Sequence, residues 1–294
     1  KELNIDKKIK IVPFELLEEN SINKEIRHGR YNEIYNLAAQ SFVEKSFVSP
    51  VYTSNVNALG VIRILEAIRQ FSAKTKLYQA SSSEMFGNVK SRRQNEHTSF
   101  EPVSPYAVSK LHAHWMIDVY RNAYDLFCCS GILFNHTSPL RGNEFVTKKI
   151  IGDLIKVKFK IIPEVLLGNI HVRRDWGYSH DYVDAMWKML QQKKAEDFVI
   201  SSGITHTVKD FVNKVAKYLD MDIFWKGKNL NEVAIDRKTR KKVIKIKKKF
   251  FRPNDINHTY GNSLKAKKML NWEPKTDFDL LVKIMCDAEL SKYK

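Results

Sequence analysis

No glycine-rich phosphate turn is written in this sequence. Neither G-x-G-x-x-G nor G-x-x-G-x-x-G occurs in its 294 residues, which include 11 glycines. Such a turn, set between a first strand and a helix N-terminus, is where a dinucleotide-binding sheet receives a pyrophosphate. Cysteine is scarce too. Cys128, Cys129 and Cys286 are odd in number and include an adjacent pair in an apolar run. That excludes a disulfide framework and points to buried thiols in a reducing, cytoplasmic setting. No cluster of histidines, cysteines or carboxylates has metal-ligand spacing, so no metal is expected. No apolar run is long enough to cross a bilayer, and the opening Lys-Glu-Leu-Asn-Ile-Asp is unlike a signal peptide, so no membrane role is expected. Internal repeats and low-complexity linkers are absent.

Positive charge, by contrast, is abundant. The formal net charge is +17, and the densest basic stretch runs from Arg237 to Lys249. There lysines alternate with Val243, Ile244 and Ile246, the pattern of an edge strand or hairpin with a solvated face. The stretch lacks the interleaved aromatics of a single-strand binder, and lysine is spread along the whole chain. No nucleic-acid partner is expected. With 43% hydrophobic residues the chain can bury a substantial core.

Strand and helix patterns alternate through the first half, which predicts an α/β fold with a parallel sheet. The Lys10–Leu16 segment and the Glu33–Leu37 segment read as strands, the second running into a small-residue turn, Ala38-Ala39-Gln40-Ser41. Residues 52–69 read as a helix and 76–81 as a strand ending at Ser82-Ser83-Glu84. Ser104-Pro105 supplies an N-cap and a proline at the first turn of a helix through Tyr124. Strands follow at 127–134 and 197–201; Thr207 caps a helix to Leu219, and two helices close the chain at 263–270 and 278–292.

The most informative constellation is Tyr106-Ala-Val-Ser-Lys110, which sets a phenol and an ammonium on one face of the predicted helix. A cation beside a phenol favours phenolate, which suits a base that takes a proton from a sugar hydroxyl. Ser82 and Glu84 stand at a strand's carboxyl end, where open α/β sheets bind ligands. Tryptophans 115, 176 and 187 read as packing residues.

These residues sit within blocks that resemble the GDP-mannose 4,6-dehydratases, a branch of the extended short-chain dehydrogenase/reductase superfamily. The blocks are EIYNLAAQS (33–41), YQASSSEMFG (78–87), SPYAVSKLHAHW (104–115), GILFNHTSPLRG (131–142), FVTKKI (145–150), LGNIHVRRDWGYSHDYVDAMW (167–187), WKGKNLNEV (225–233), FFRPNDI (250–256) and KAKKMLNWEPKT (265–276). The resemblance implies a Rossmann-like parallel sheet whose N-terminal βαβ portion is not in this chain, with a smaller C-terminal α/β substrate domain. Residues 1–137 would bind NADP, with a strand near 197–202 returning to that part, and residues 138–294 would mainly bind the GDP-sugar.

By the same resemblance Ser82 stands where the family has a catalytic threonine, and Glu84, Tyr106 and Lys110 are its glutamate, tyrosine and lysine. Cofactor contacts would come from Glu15, Leu16, Leu37, Ala38, Ala39, Gln40, Ser41, Tyr52, Lys110, His136 and Arg141. Asn135, Val146, Lys149, Arg174 and Arg252 would hold GDP-mannose, with Arg173 a further cation nearby. Phe42, Phe86 and Asp255 depart from the family's histidine, tyrosine and glutamate. The implied reaction is internal hydride transfer through bound NADP, giving GDP-4-keto-6-deoxymannose, the first step toward GDP-fucose. A homodimer or homotetramer is implied as well. Glu84 argues against a sugar-nucleotide epimerase, which needs no base at C5, and Ser83-Glu84 against the dTDP-glucose branch, which carries Asp-Glu there. A non-catalytic scaffold is the alternative of a different class. The missing glycine turn leads to one more expectation: either residues precede Lys1, or this chain binds NADP poorly.

Overall fold

Neighbouring residues of the central strands are buried in opposite directions, so this sheet has to be covered on both faces. The computed structural model describes residue 5, residues 7–91 and residues 93–293. Helix α1 (Glu19–Gly29) precedes strand β1 (Glu33–Asn36). Short helices α2 (Val43–Val48) and α3 (Pro50–Ser54) follow, and a π-helical turn, Asn55–Leu59, carries the chain into α4 (Gly60–Phe71). Next come strand β2 (Lys76–Ser82), helix α5 (Pro105–Tyr124) and strand β3 (Cys128–Leu133). The second half holds β4 (Asn135–Thr137), α6 (Val146–Lys158), β5 (Val165–Leu167), β6 (Arg173–Tyr178), α7 (Ser179–Leu190) and β7 (Phe198–Ile200). It closes with β8 (Thr205–Thr207), α8 (Val208–Tyr218), β9 (Ile223–Lys226), β10 (Val233–Asp236), β11 (Lys242–Ile246), α9 (Leu264–Leu270) and α10 (Phe278–Leu290).

Strands β1, β2, β3 and β7 form one parallel sheet in that order. Leu77 and Cys128 point into the apolar layer made with α1, α4 and α5, whereas Tyr78 and Cys129 point into the layer made with α7 and α9. This is the doubly covered arrangement that parallel strands require. Strand β7, far along the chain, pairs with Gly131–Leu133 and completes the sheet. Gly131 is needed there because a Cβ would meet the Tyr78 hydroxyl at 2.2 Å.

A second core lies between α6, α8, α10 and the sheet β5-β11-β10-β9. A third small sheet, β4-β6-β8, joins the two. Asp175 on β6 fastens that junction: its carboxylate accepts hydrogen bonds from Ser202 N and Oγ, Gly203 N and Gly261 N. The Cys128, Cys129 and Cys286 thiols are free and buried, as their apolar neighbours suggested.

Two sequence expectations need correction. Residues 10–16 form no strand: among the described residues their backbone bonds are Glu18 N donating to Glu15 O and the Arg63 side chain donating to Leu16 O, neither of them a ladder, and Pro13 has no N–H for one. An extended segment without a neighbouring strand has nothing to pair with. The basic segment does form a hairpin, but β11 is an inner strand, parallel to β5 and antiparallel to β10. Val243, Ile244 and Ile246 are buried in the second core, which is why they interrupt the lysines.

Helix α5 starts as its sequence dictates: Ser104 Oγ accepts the Ala107 N–H at 3.1 Å, and Pro105 fills the first turn. Removing that cap with Ser104→Ala should cost about 1 kcal/mol of unfolding free energy in urea melts. Of Trp115, Trp176 and Trp187, only Trp176 is buried; Trp115 and Trp187 are half-exposed on the outer faces of α5 and α7.

Candidate active site

The carboxyl ends of β2 and β3 and the first turns of α5 form one wall of a cavity of about 620 Å³. The opposite wall comes from the second half of the chain, including Val146, Lys149, Arg174, Arg252 and Asp255. Ser82, Glu84, Tyr106 and Lys110 all line it, as do Leu37, Ala39, Ser41, Asn135, His136 and Arg141. Five residues named from the sequence do not: Glu15, Leu16, Ala38, Gln40 and Tyr52. Leu16 is buried against Gly60, and Glu15 accepts the Leu17 N–H. Tyr52 is half-exposed on α3.

Ser82 ends β2, and its hydroxyl accepts the Glu84 N–H at 3.2 Å, which opens a 3₁₀ turn over Ser83–Phe86. That turn brings the Glu84 carboxylate into the cavity with 7% of the residue exposed. Arg252 Nη1 stands 3.4 Å from Glu84 Oε1. The two residues are 168 positions apart in sequence.

Tyr106 and Lys110 share a face of α5 and both are buried. The expectation that Lys110 draws the phenol toward ionisation does not hold for this geometry. Lys110 Nζ donates to the Ala80 carbonyl at 2.9 Å and lies 6.0 Å from the Tyr106 ring centre. Burial pushes the Tyr106 phenol up to about 12, with the Glu84 charge adding to the rise; Ser82 and Arg141 act in the opposite sense. Burial likewise lowers the Lys110 ammonium to about 8. Without a ligand the phenol is therefore neutral at pH 7.

His136 stacks on Tyr182 at 4.6 Å, and its Nδ1 donates to the Phe134 carbonyl. Desolvation lowers it to about 4, which keeps the ring neutral. Arg141 lies over the Phe145 ring at 3.6 Å and donates to the His136 carbonyl. Arg174 is committed to protein acceptors: Ile256 O at 2.7 Å, Asp255 Oδ1 at 2.9 Å and Arg173 O at 3.0 Å. Lys149 pairs with Asp153 at 2.9 Å. Arg173 donates to Thr205 O and is absent from the cavity wall.

Two residues escaped the sequence reading. Asn57, in the buried π turn, accepts the Gln40 N–H at 2.8 Å and donates to the Gln40 carbonyl at 3.0 Å and to Ser109 Oγ at 3.2 Å. It thereby pins the small-residue loop after β1 to α5. Only an amide lodged inside an otherwise apolar helical stripe hints at it, since a π turn has no sequence signature of its own. Asp255, noted only as a departure, proves to hold Arg174 at 2.9 Å and to stand 3.4 Å from Arg252.

Lys110 yields a prediction whose sign is fixed. Its folded value, about 8, lies below 10.5, so between those pH values the unfolded chain binds more protons. Its contribution to stability should therefore rise as pH increases from 8 to 10.5, and Lys110→Met should remove that rise in denaturant melts. NMR of a ¹³C-labelled lysine side chain should find Lys110 titrating near 8 in the ligand-free protein.

A family model described as GDP-mannose 4,6 dehydratase matches residues 1–285. The GDP-mannose 4,6 dehydratase of Dictyostelium discoideum is 48% identical over 264 residues, covering 89% of this chain and 74% of the relative. The Homo sapiens protein of the same name is 41% identical over 289 residues, covering 98% and 78%. Among solved structures, a Thermotoga maritima UDP-glucose 4-epimerase with UDP-glucose superimposes with a TM-score of 0.83 at 21% identity, covering 100% of this chain and 88% of that one. A Bacillus anthracis dTDP-glucose 4,6-dehydratase in complex with NAD gives a TM-score of 0.81 at 20% identity, covering 99% and 83%. At such identities the structures establish the fold, a Rossmann-like α/β architecture. The family follows from the closer sequences and from a model that spans nearly the whole length: this chain belongs to the GDP-mannose 4,6-dehydratases.

Proposed function

We infer that this chain is a sugar-nucleotide 4,6-dehydratase that converts GDP-mannose to GDP-4-keto-6-deoxymannose, with NADP as its cofactor. The observation that carries this reading is the meeting of Ser82, Glu84, Tyr106 and Lys110 in one cavity whose far wall supplies Lys149, Arg174 and Arg252. An epimerase would need the first wall without the glutamate.

The residues present fit the nicotinamide end of a dinucleotide. Lys110 is a buried ammonium whose hydrogen bond among the described residues goes to a backbone carbonyl, so it keeps donors for a ribose. Leu37, Ala39 and Ser41 form a small-residue shelf at the strand ends. When bound, oxidised NADP would supply a positive ring able to accept a hydride from C4 and give it back to C6, so that net redox is zero. Tyr106 takes the proton of the C4 hydroxyl as its phenolate, a form that burial disfavours in the ligand-free site and that the positive ring of a bound cofactor would favour. Ser82 donates to the C4 oxygen as it becomes a ketone. The ketone acidifies C5–H; Glu84 removes that proton and delivers it to the C6 hydroxyl, which leaves as water, and when C6 is reduced C5 regains a proton, which in the net balance is the one taken up by Tyr106.

Cofactor choice and assembly belong to the same reading. NADP rather than NAD is the family's choice, and calorimetric titration with both nucleotides decides it. A homodimer or homotetramer is supported by an apolar stripe on α5, where Val108, Trp115 and Val119 are about half-exposed, beside Val51 and Leu59. Sedimentation velocity tests it.

Glu84→Gln should retain GDP-mannose binding and lower kcat by about 10²–10⁴-fold, since an amide cannot take the C5 proton. A single turnover should still show reduced cofactor by absorbance, and Tyr106→Phe should suppress even that signal. Turnover by Glu84→Gln near the parent rate would remove Glu84 from its role. Arg252→Ala should weaken GDP-mannose binding by about 2–4 kcal/mol, whereas neutralising three lysines between Arg237 and Lys249 should change KM only a few-fold.

A further inference from the structure

Four charged groups face one another at the back of the cavity, and one of them has no role in the reaction as derived. Asp255 Oδ1 accepts from Arg174 Nη2 at 2.9 Å, a fully made charge-assisted bond. The same oxygen stands 3.4 Å from Arg252 Nη1, and that nitrogen stands 3.4 Å from Glu84 Oε1. Arg252 is thus suspended between two carboxylates and fully bonded to neither. Arg174 cannot take its place, because its other contacts fix it to the Ile256 and Arg173 carbonyls. With 29% of its side chain exposed, Arg252 also has room to move into the cavity.

A guanidinium released from one side of such a balance moves to the other. Without the Asp255 charge, Arg252 would close on Glu84 at bidentate distance, and the carboxylate oxygens would be blocked. A base locked in an ion pair takes up a proton less readily. We propose that Asp255 is a positioning residue that holds Arg252 off Glu84, leaving the carboxylate able to accept the C5 proton and the guanidinium able to meet a diphosphate. This inference rests on the reading of Glu84 as the base.

The test is a double-mutant cycle at saturating GDP-mannose. Asp255→Asn should lower kcat about tenfold in the parent but less than about twofold in the Arg252→Ala background, where no guanidinium remains to collapse on Glu84. Asp255→Glu, which keeps the charge, should restore kcat to within about twofold of the parent. Equal losses from Asp255→Asn in both backgrounds would mean a merely structural role and would overturn the proposal. If Asp255→Asn fails to fold for want of a counter-ion at Arg174, Asp255→Glu decides alone, and a tenfold loss of kcat there overturns it. A parent protein that never dehydrates GDP-mannose would instead overturn the proposed function, and this inference with it.

Discussion

Burying the ammonium group of Lys110 is the constraint on which the rest of the site depends. A buried cation is costly unless it is paired, and here, among the described residues, its hydrogen-bond partner is a single backbone carbonyl, that of Ala80. The cost is visible in the lowered proton affinity of the lysine. Such a group persists only where the surrounding structure leaves it no alternative. Helix α5 is capped at Ser104, packed on β2 and β3, and tied to the preceding loop through Asn57 and Ser109. Those contacts fix the helix, and the helix fixes Lys110 and Tyr106 together. The fold therefore holds in readiness a pair of groups that it would be more stable without.

That readiness explains why the ligand-free Tyr106 is not the phenolate that a neighbouring lysine suggests. At 6.0 Å from the ring centre, with its proton shared toward Ala80, Lys110 does not offset the desolvation of the phenol. Spacing along a helix correctly put the two residues on one face; it could not give the distance between charged atoms or the loss of water around them. Electrostatic expectations drawn from sequence fail in this way because desolvation depends on everything packed nearby, most of it remote in the chain.

Legibility followed the range of the interactions. Ser104-Pro105, the Thr207 cap and the alternation of β-strands and helices are local and legible in the sequence. The return of β7 to the first sheet was legible only through family resemblance, since nothing between residues 134 and 197 announces it. The hairpin of β10 and β11 was visible, but its inner position was not, because the partner strand β5 lies about 80 residues earlier. At the site, Ser82, Glu84, Tyr106 and Lys110 come from two adjacent elements and stand out in sequence. The Glu84–Arg252–Asp255–Arg174 cluster draws on β2's end, β6 and a late loop, so no local pattern marks it.

The distribution of charge fits this division of labour. Within the cavity's back wall two guanidinium groups face two carboxylates, so the local field is balanced although the chain as a whole carries +17. Most of the excess positive charge is solvated, as on the outer face of the β10–β11 hairpin, where it is screened within about 10 Å at ordinary salt. Surface charge of that kind raises the encounter rate of an anionic substrate without gripping it. Discrimination has to come instead from the few groups that have lost their water. In the proposed function, an arriving diphosphate would meet a guanidinium that is not yet fully bonded, and would displace a long contact to the carboxylate proposed as the base.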